Sequence, residues 1–170
     1  GAQLDAIQHG TADQPEVASV VLARSPLLTD ADLIDRVVNG SGATQSLIAD
    51  RPTVSMEVSA VIAEIGEADA CRLLISNAGA EIAPLSFRRM AERFGHTASM
   101  REALISDPRL PADCRHMLLV QIGEALRDSP LVVALMGAKR AERLTKDACV
   151  KASLTLIDST SPQEYPALVT

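Results

Sequence analysis

The sequence predicts an all-α protein, a right-handed solenoid of about four two-helix repeats with a long C-terminal helix. Three observations predict this fold. A set of landmark residues recurs with one shared period, and apolar residues between the landmarks recur at helical spacing. The chain also has two Phe, one Tyr and no Trp, so its core must be aliphatic. No stretch alternates apolar and polar residues long enough to predict a strand.

The landmarks fall into three series, each following the same order in every copy. Pro26, Pro52 and Pro108 each follow a short apolar run, and Ala78 takes this place in the third copy. An apolar residue comes next, as Leu28, Val54, Ile82 and Leu110. A glycine closes each copy, as Gly40, Gly66, Gly95 and Gly123. The series share a nearly constant interval, and fixed periods of about 20–50 residues are typical of stacked repeats.

Each landmark has a physical reason. Proline ends a helix because it lacks an N–H and its ring clashes with the preceding turn. The apolar residue after it packs on the first turn of the next helix, so all four members of this series are expected to be buried. Glycine ends a helix because it adopts the left-handed conformation without steric cost. Each copy is therefore predicted to be a helix, a tight connecting loop (the hook), a second helix and a stop.

The copies are expected at residues 15–40, 43–66, 67–95 and 97–123, in one domain over residues 1–158. Residues 4–8 could form a frayed helix ahead of the first copy, which opens at Pro15. In that copy Thr29 and Asp32 form a variant capping box for the second helix. In copy two, the first helix is expected at residues 46–50 and Ser55 caps the second.

The last two copies and the C-terminus are less regular. The hook of copy three, residues 77–82, lacks the proline. In copy four Gly123 is a weak stop, since residues 124–128 continue the helical pattern. Two C-terminal helices are expected within residues 130–158: an apolar stub ending at Gly137, then a long capping helix over residues 138–157. That helix has an apolar side formed by Leu144, Ala148, Ala152 and Leu156. Residues 159–170 are expected to be an irregular tail.

Composition narrows the class of protein. The net charge is −6, which disfavours sequence-independent binding to nucleic acid or anionic lipid. The three cysteines are widely spaced and match no disulfide or metal pattern, which indicates a reducing, cytoplasmic compartment. No apolar run reaches the ~18 residues of a membrane span, and residues 2–10 do not have the apolar centre of a signal peptide. Gly1 in place of Met suggests either a tag remnant or an excised fragment, and in the second case the chain is one part of a longer regulatory protein.

Four segments carry a family resemblance. They are ASVVLARSPLLTDAD at residues 18–32, IADRPTVSMEV at 48–58, LISNAGAEI at 74–82 and LISDPRLP at 104–111. In this order they resemble the bacterial domain of unknown function 2336 (DUF2336), a family commonest in alphaproteobacteria. The resemblance runs from about residue 16 to residue 128. It implies degenerate repeats of the HEAT-like or leucine-rich-variant kind and carries no catalytic motif. Helical-repeat relatives generally act as scaffolds, which is an analogy from architecture.

Chemistry-bearing residues are few. Cys114 and His116 are two residues apart, which places them on different faces of a helix, and no further ligand completes the roughly four that zinc needs. The acids Asp30, Asp32 and Asp35 lie at a helix start, where the helix dipole explains them. No catalytic, cofactor-binding or metal-binding residue is therefore expected, and no cofactor. A hydrolase whose site the sequence does not reveal remains a remote alternative.

Two groups of cations suggest a binding surface. Arg88, Arg89 and Arg93 (the arginine row) lie on the second helix of copy three, and Lys139, Arg140, Arg143 and Lys146 open the terminal helix. In HEAT-like DNA-binding proteins such rows contact phosphates, but the acidic chain and its lack of aromatic stacking residues argue against that role. We therefore expect a non-enzymatic protein-interaction or scaffold module whose arginine row binds a protein or an acidic peptide. A nucleic-acid-binding module is the alternative, and a dimer through the C-terminal helix is left open.

Overall fold

The computed structural model describes Ser25 and residues 27–159, with side chains described through residue 156. Four expectations lie outside the described residues: the helix at residues 4–8, the first helix of copy one at residues 15–24, the position of Pro26, and the tail beyond residue 159.

The described residues are helical nearly throughout and contain no strand, so the prediction of an all-α protein is confirmed. The nine helices found there are α1 (Asp30–Asn39), α2 (Gly42–Ala49), α3 (Met56–Ile65), α4 (Ala68–Ser76), α5 (Pro84–Phe94), α6 (Ala98–Ser106), α7 (Ala112–Arg127), α8 (Pro130–Met136) and α9 (Ala138–Ser159). The chain divides into two compact units, Gly1–Ser86 and Phe87–Thr170, with the boundary inside α5. The expected single domain over residues 1–158 stays a prediction.

Hydroxyl caps fix the starts of three helices of the first unit, α1, α2 and α3. At α1 the predicted capping box is confirmed: the Thr29 backbone N–H donates to Asp32 Oδ2 at 3.0 Å, and the Asp32 N–H donates to Thr29 Oγ1 at 3.3 Å. Ser55 caps α3 as predicted, accepting from the Val58 N–H at 3.3 Å. The first helix of copy two, however, begins at Gly42 instead of residue 46, because Ser41 supplies a cap that the landmark series did not include.

Corresponding helices of successive copies pack together in the first unit. α1 and α3, both second helices, lie against each other, and so do the first helices α2 and α4. Their shared core is aliphatic, as predicted, and consists of Leu33, Val37, Ile48, Ala49, Val58, Ile62, Ala63, Ala70, Cys71, Leu74 and Ile75. This pairing of first with first and second with second helices is what a stack of two-helix repeats requires.

The hooks of copies two and three are joined by backbone hydrogen bonds. The Val54 N–H donates to the Gly79 carbonyl at 3.2 Å, and the Glu81 N–H donates to the Val54 carbonyl at 2.9 Å, forming an isolated parallel bridge between Val54 and Ala80. Gly79 is required for this approach, because a Cβ there would collide with the Pro52 carbonyl oxygen.

The bridge changes which hook residue is buried. Val54 and Leu110 are buried as predicted, with 2% and 5% exposure. Ile82 is only half-buried, so its expected burial is wrong, and Ala80 at 5% exposure fills that place. Ala80 follows Val54 in the chain at the same interval at which Val54 follows Leu28. Leu28 is also only half-buried, so its expected burial is wrong as well.

Polar side chains link the hooks of copies one, two and three. The Arg51 guanidinium donates to the Ser25 carbonyl at 2.8 Å, and Asn77 Nδ2 donates to the Arg51 carbonyl at 2.7 Å. Asn77 Nδ2 also donates to the Ala49 carbonyl at the end of α2, at 2.8 Å. Arg51 follows Ser25, and Asn77 follows Arg51, at one and the same interval. In copies two and three, a donor side chain of the hook therefore bonds to the backbone of the hook before it, at the repeat period. The bond from Asn77 to Ala49 satisfies a carbonyl left open at the end of α2.

The glycines end helices for a reason other than the predicted one. Gly40 and Gly66 follow α1 and α3 with φ values of −91° and −63°, so the expected left-handed conformation is wrong at both. Among the described residues only Gly137 has a positive φ, of 81°. At Gly66 a Cβ would press on the carbonyl oxygen of Ile62, one helical turn earlier. Close approach to the preceding turn explains glycine there.

Gly123 does not end a helix, and the end of copy four predicted there is wrong. α7 continues to Arg127, as the helical pattern of residues 124–128 suggested. A Cβ at Gly123 would collide with Cys149 Sγ on α9. The glycine therefore allows α7 and α9 to cross closely.

The second unit is organised by α7, which packs along α9, while α8 touches both. Its buried apolar side chains are Phe87, Met90, Ala91, Met100, Leu104, Leu110, Cys114, Leu118 and Ala141. α8 and α9 confirm the two predicted C-terminal helices, with Gly137 between them. Within the described part of the chain, no helix has both the length and the apolar character that crossing a membrane would need.

Candidate functional site

The arginine row lies on α5, and Glu92 of the same helix forms ion pairs with two of its three members. Arg88 Nε is 3.5 Å from Glu92 Oε1, and Arg89 Nη1 is 3.6 Å from Glu92 Oε2. Arg88 also approaches Asp113 of α7, with 3.9 Å between Nη1 and Oδ2. The guanidinium carbon of Arg93 lies 4.5 Å from the centroid of the Phe94 ring, a cation–π distance. The structure thus gathers the three arginines on one helix surface, but Glu92 and Asp113 offset part of their charge.

Cys114 and His116 do not form a reactive pair. Cys114 is buried, with 1% exposure. Burial, followed by the negative charge of Asp113, raises the pKa of its thiol to about 12. A thiol that is both buried and protonated is a poor nucleophile.

His116 is instead bonded to the terminal helix. Its Nδ1 lies 3.0 Å from Ser153 Oγ, and that hydroxyl donates to the Cys149 carbonyl at 2.8 Å. A hydroxyl has one proton, so with that proton on the carbonyl the histidine must donate to Ser153. The pair therefore joins α7 to α9. In a catalytic pair the histidine would accept the serine proton, and here it donates to the serine instead.

Asp107 is the most strongly held acid of the second unit. It follows α6, accepts from the Arg109 backbone N–H at 2.8 Å, and forms an ion pair with the Arg109 guanidinium at 2.7 Å. Burial raises its pKa, but the hydrogen bonds from Arg109 and the charges of Arg109 and Arg115 outweigh this, so the pKa lies below its ordinary value of 3.8. Arg115 also donates to the Ile105 and Asp107 carbonyls, at 2.7 and 3.2 Å. The cluster closes the end of α6 and is structural.

The described residues contain no group of side chains arranged to bind a metal ion. No three His, Cys, Asp or Glu side chains there are grouped so that they could hold an ion. All three cysteines are free thiols.

The feature most suited to binding is a groove between α7, α8 and α9, with a volume of about 400 Å³. Its walls are almost wholly apolar. They are formed by Leu119, Ile122, Gly123, Leu126, Val132, Met136, Ala141, Leu144, Thr145, Ala148, Cys149 and Ala152. We call this the C-terminal groove.

Several side chains in the C-terminal groove are incompletely covered. Leu126, Met136 and Leu144 are exposed by 48%, 38% and 43%, although each lines the groove. Exposure of large apolar side chains around a concavity is typical of a surface that receives a partner.

α8 extends this apolar surface. Its sequence, PLVVALM, starts with a proline at a first-turn position, and none of its residues is buried. Leu131 and Leu135, one helical turn apart, are exposed by 68% and 76%. A short, uncharged helix with no buried residue gains little from its own packing, so a covering partner would stabilise it.

Sequence reasoning missed this groove, although a signal was present. The predicted apolar side of the terminal helix includes Leu144, Ala148 and Ala152, which do line the groove. The sequence alone favours reading that side as the inner face of a capping helix. Periodicity identifies an apolar face but does not reveal that the neighbouring helices leave it partly uncovered.

One comparison with known proteins gives a match. The family model described as an uncharacterised protein conserved in bacteria, DUF2336, matches residues 17–170. No curated protein matches this chain, and neither does any solved structure.

Proposed function

We propose that this chain, which belongs to the bacterial family DUF2336, is a non-enzymatic protein-interaction or scaffold module. The observation that carries the proposal is the C-terminal groove, with its apolar walls and exposed leucines. A concave apolar surface with few polar groups suits recognition of an apolar segment and offers little for bond-making chemistry.

The finer architecture is part of the proposal. A right-handed, HEAT-like solenoid of two-helix repeats is supported by the pairing of α1 with α3 and of α2 with α4. It is also supported by the equal spacing of the side chains that link successive hooks. Repeat stacks leave extended surfaces that serve as binding sites.

The absence of an enzymatic site is proposed on the same basis. The two strongest candidates for chemistry, Cys114 and the His116–Ser153 pair, are explained by burial and by helix packing. A cytoplasmic location is supported by the free cysteines, which persist in reducing compartments.

The arginine row remains a predicted contact for an acidic peptide or protein. No observation in the described residues favours the alternative, nucleic-acid binding through Arg88, Arg89 and Arg93, because Glu92 is paired with two of the three. A phosphate backbone would have to displace that carboxylate.

A capture experiment with matched variants tests the proposal. Leu144→Glu places a charge in the groove wall, and Ile65→Glu places the same charge on α3 at nearly equal exposure, 43% against 42%. The proposal predicts that a specific protein co-purifies from the native host with the wild type and Ile65→Glu but not with Leu144→Glu. Equal capture by all three folded proteins would refute the groove as the binding site.

A further inference from the structure

The cations of α9 differ from those of the arginine row in that no described acid forms an ion pair with them. Residues 138–151 contain Lys139, Arg140, Arg143, Lys146 and Lys151, against the acids Glu142 and Asp147. All five cations are exposed, and none forms an ion pair with a described residue. An excess of unpaired positive charge on one helix of a chain with a net charge of −6 marks a local preference for acidic groups.

Two of these cations, Arg140 and Lys151, lie on the side of α9 that borders the C-terminal groove. Arg140, Leu144, Ala148 and Lys151 follow one another at spacings of four, four and three residues, so they share one face of α9. Leu144 and Ala148 line the groove. Arg140 and Lys151 therefore flank the apolar Leu144 and Ala148 beside the groove, about 16 Å apart at the rise of an α-helix. The exposed acid Asp147 lies on the same side of α9 and offsets part of this charge.

From this pattern we propose that the C-terminal groove binds an amphipathic helix of a second protein, with an apolar stripe flanked by acidic residues. This deepens the proposed function and rests on it. The stripe would pack between α7, α8 and α9, and carboxylates about three turns apart would pair with Arg140 and Lys151. Helix-in-groove recognition of this kind uses apolar anchors at i, i+4, i+7 and i+11 spacing.

Two other occupants fit less well. A second copy placed along α9 would bring a second set of unpaired cations to the same surface, and like charges repel. An anionic membrane matches the charge, but a lipid surface would cover the outside of the helices and leave a concave groove between them unfilled.

The test uses the full chain and two capped designed peptides of about 18 residues, each with Leu at i, i+4, i+7 and i+11. One carries Glu on both sides of the stripe and the other carries Lys. The acidic peptide should bind at least about tenfold more tightly, and it should slow alkylation of Cys149, which lies in the groove wall. Equal binding of the two peptides, or binding without protection of Cys149, would overturn the proposal.

Charge variants locate the contact. Arg140→Glu/Lys151→Glu should weaken binding of the acidic peptide by about tenfold or more and improve binding of the Lys peptide. Lys139→Glu/Arg143→Glu changes the net charge equally but lies farther around α9 from the groove-lining Leu144 and Ala148, and it should change affinity by no more than about twofold. An equal loss in both variants would show general attraction without recognition and refute the proposal.

Separate measurements test the two other occupants, a second copy of the chain and an anionic membrane. A dimer of the free chain that Leu144→Glu dissociates would assign the groove to self-association, and phosphatidylglycerol vesicles that bind the wild type but not Leu144→Glu would assign it to membranes. Either result overturns the helix proposal. If the native partner still depends on Leu144 while the peptides show no acidic preference, the proposed function stands and this inference alone fails.

Discussion

Replacing Asn77 by alanine tests whether the links between successive hooks stabilise the first unit. The side chain donates to the Ala49 and Arg51 carbonyls at 2.8 and 2.7 Å and accepts from the Gly79 N–H at 2.8 Å. Three hydrogen bonds at about 0.5–1.5 kcal/mol each would sum to about 3 kcal/mol. Asn77 is half-buried, so water replaces part of this, and we expect a loss of about 2 kcal/mol.

The assay is thermal and urea unfolding followed by far-UV circular dichroism, where a loss of this size lowers Tm by roughly 4–8 °C for a chain of this length. Asn39→Ala is the matched control, because Asn39 is exposed and its one hydrogen-bonding partner among the described residues is Asp35, in its own helix. It should cost at most about 0.5 kcal/mol. If Asn77→Ala costs no more than this control, the side-chain links do not hold the repeats together.

Three further predictions concern packing and charge. Gly123→Ala should cost about 1–3 kcal/mol in urea unfolding because its Cβ meets Cys149 Sγ, and the loss should shrink in a Cys149→Ala background; an unchanged loss would place the clash elsewhere. Val54→Ala should cost about 1–3 kcal/mol and Ile82→Ala clearly less, since only the former is fully buried; the reverse order would contradict the revised hook alignment. Because the folded-state pKa of Asp107 is lowered, its stabilisation is present above its unfolded pKa and lost as pH falls through the folded value. Asp107→Asn should thus be less stable than wild type near neutral pH, with the difference closing below about pH 4; a pH-independent difference would exclude the charge effect.

The helices could be predicted from sequence because their signals are local. Thr29 and Ser55 cap the helices that follow them, and the apolar spacing between landmarks identifies each buried face. These features depend on residues within one or two helical turns, so reading along the chain was sufficient.

The errors share a different cause. Ala80 takes the place expected for Ile82 because the hook of copy three pairs with the hook of copy two, a contact between two separate copies. Gly123 does not end a helix as expected, because its role depends on Cys149, in a helix that comes later in the chain. In both cases a glycine or alanine is explained by a close approach from a distant segment, which local patterns do not contain.

The candidate site follows the same rule. The arginine row was visible in the sequence, and so was Glu92, but only the structure shows that carboxylate lying between Arg88 and Arg89. The C-terminal groove needed the relative placement of three helices, although the residues of its α9 wall were already predicted to share a face.

Site-specific photo-crosslinking in the native host tests most directly whether the C-terminal groove is a protein-binding site. A photoreactive amino acid is placed at position 144 in the groove wall or at position 65 on α3, two sites with nearly equal exposure. The account predicts a discrete adduct with another protein from position 144 and none from position 65. Adducts at both positions alike, or none at position 144 in a folded, expressed chain, would contradict it.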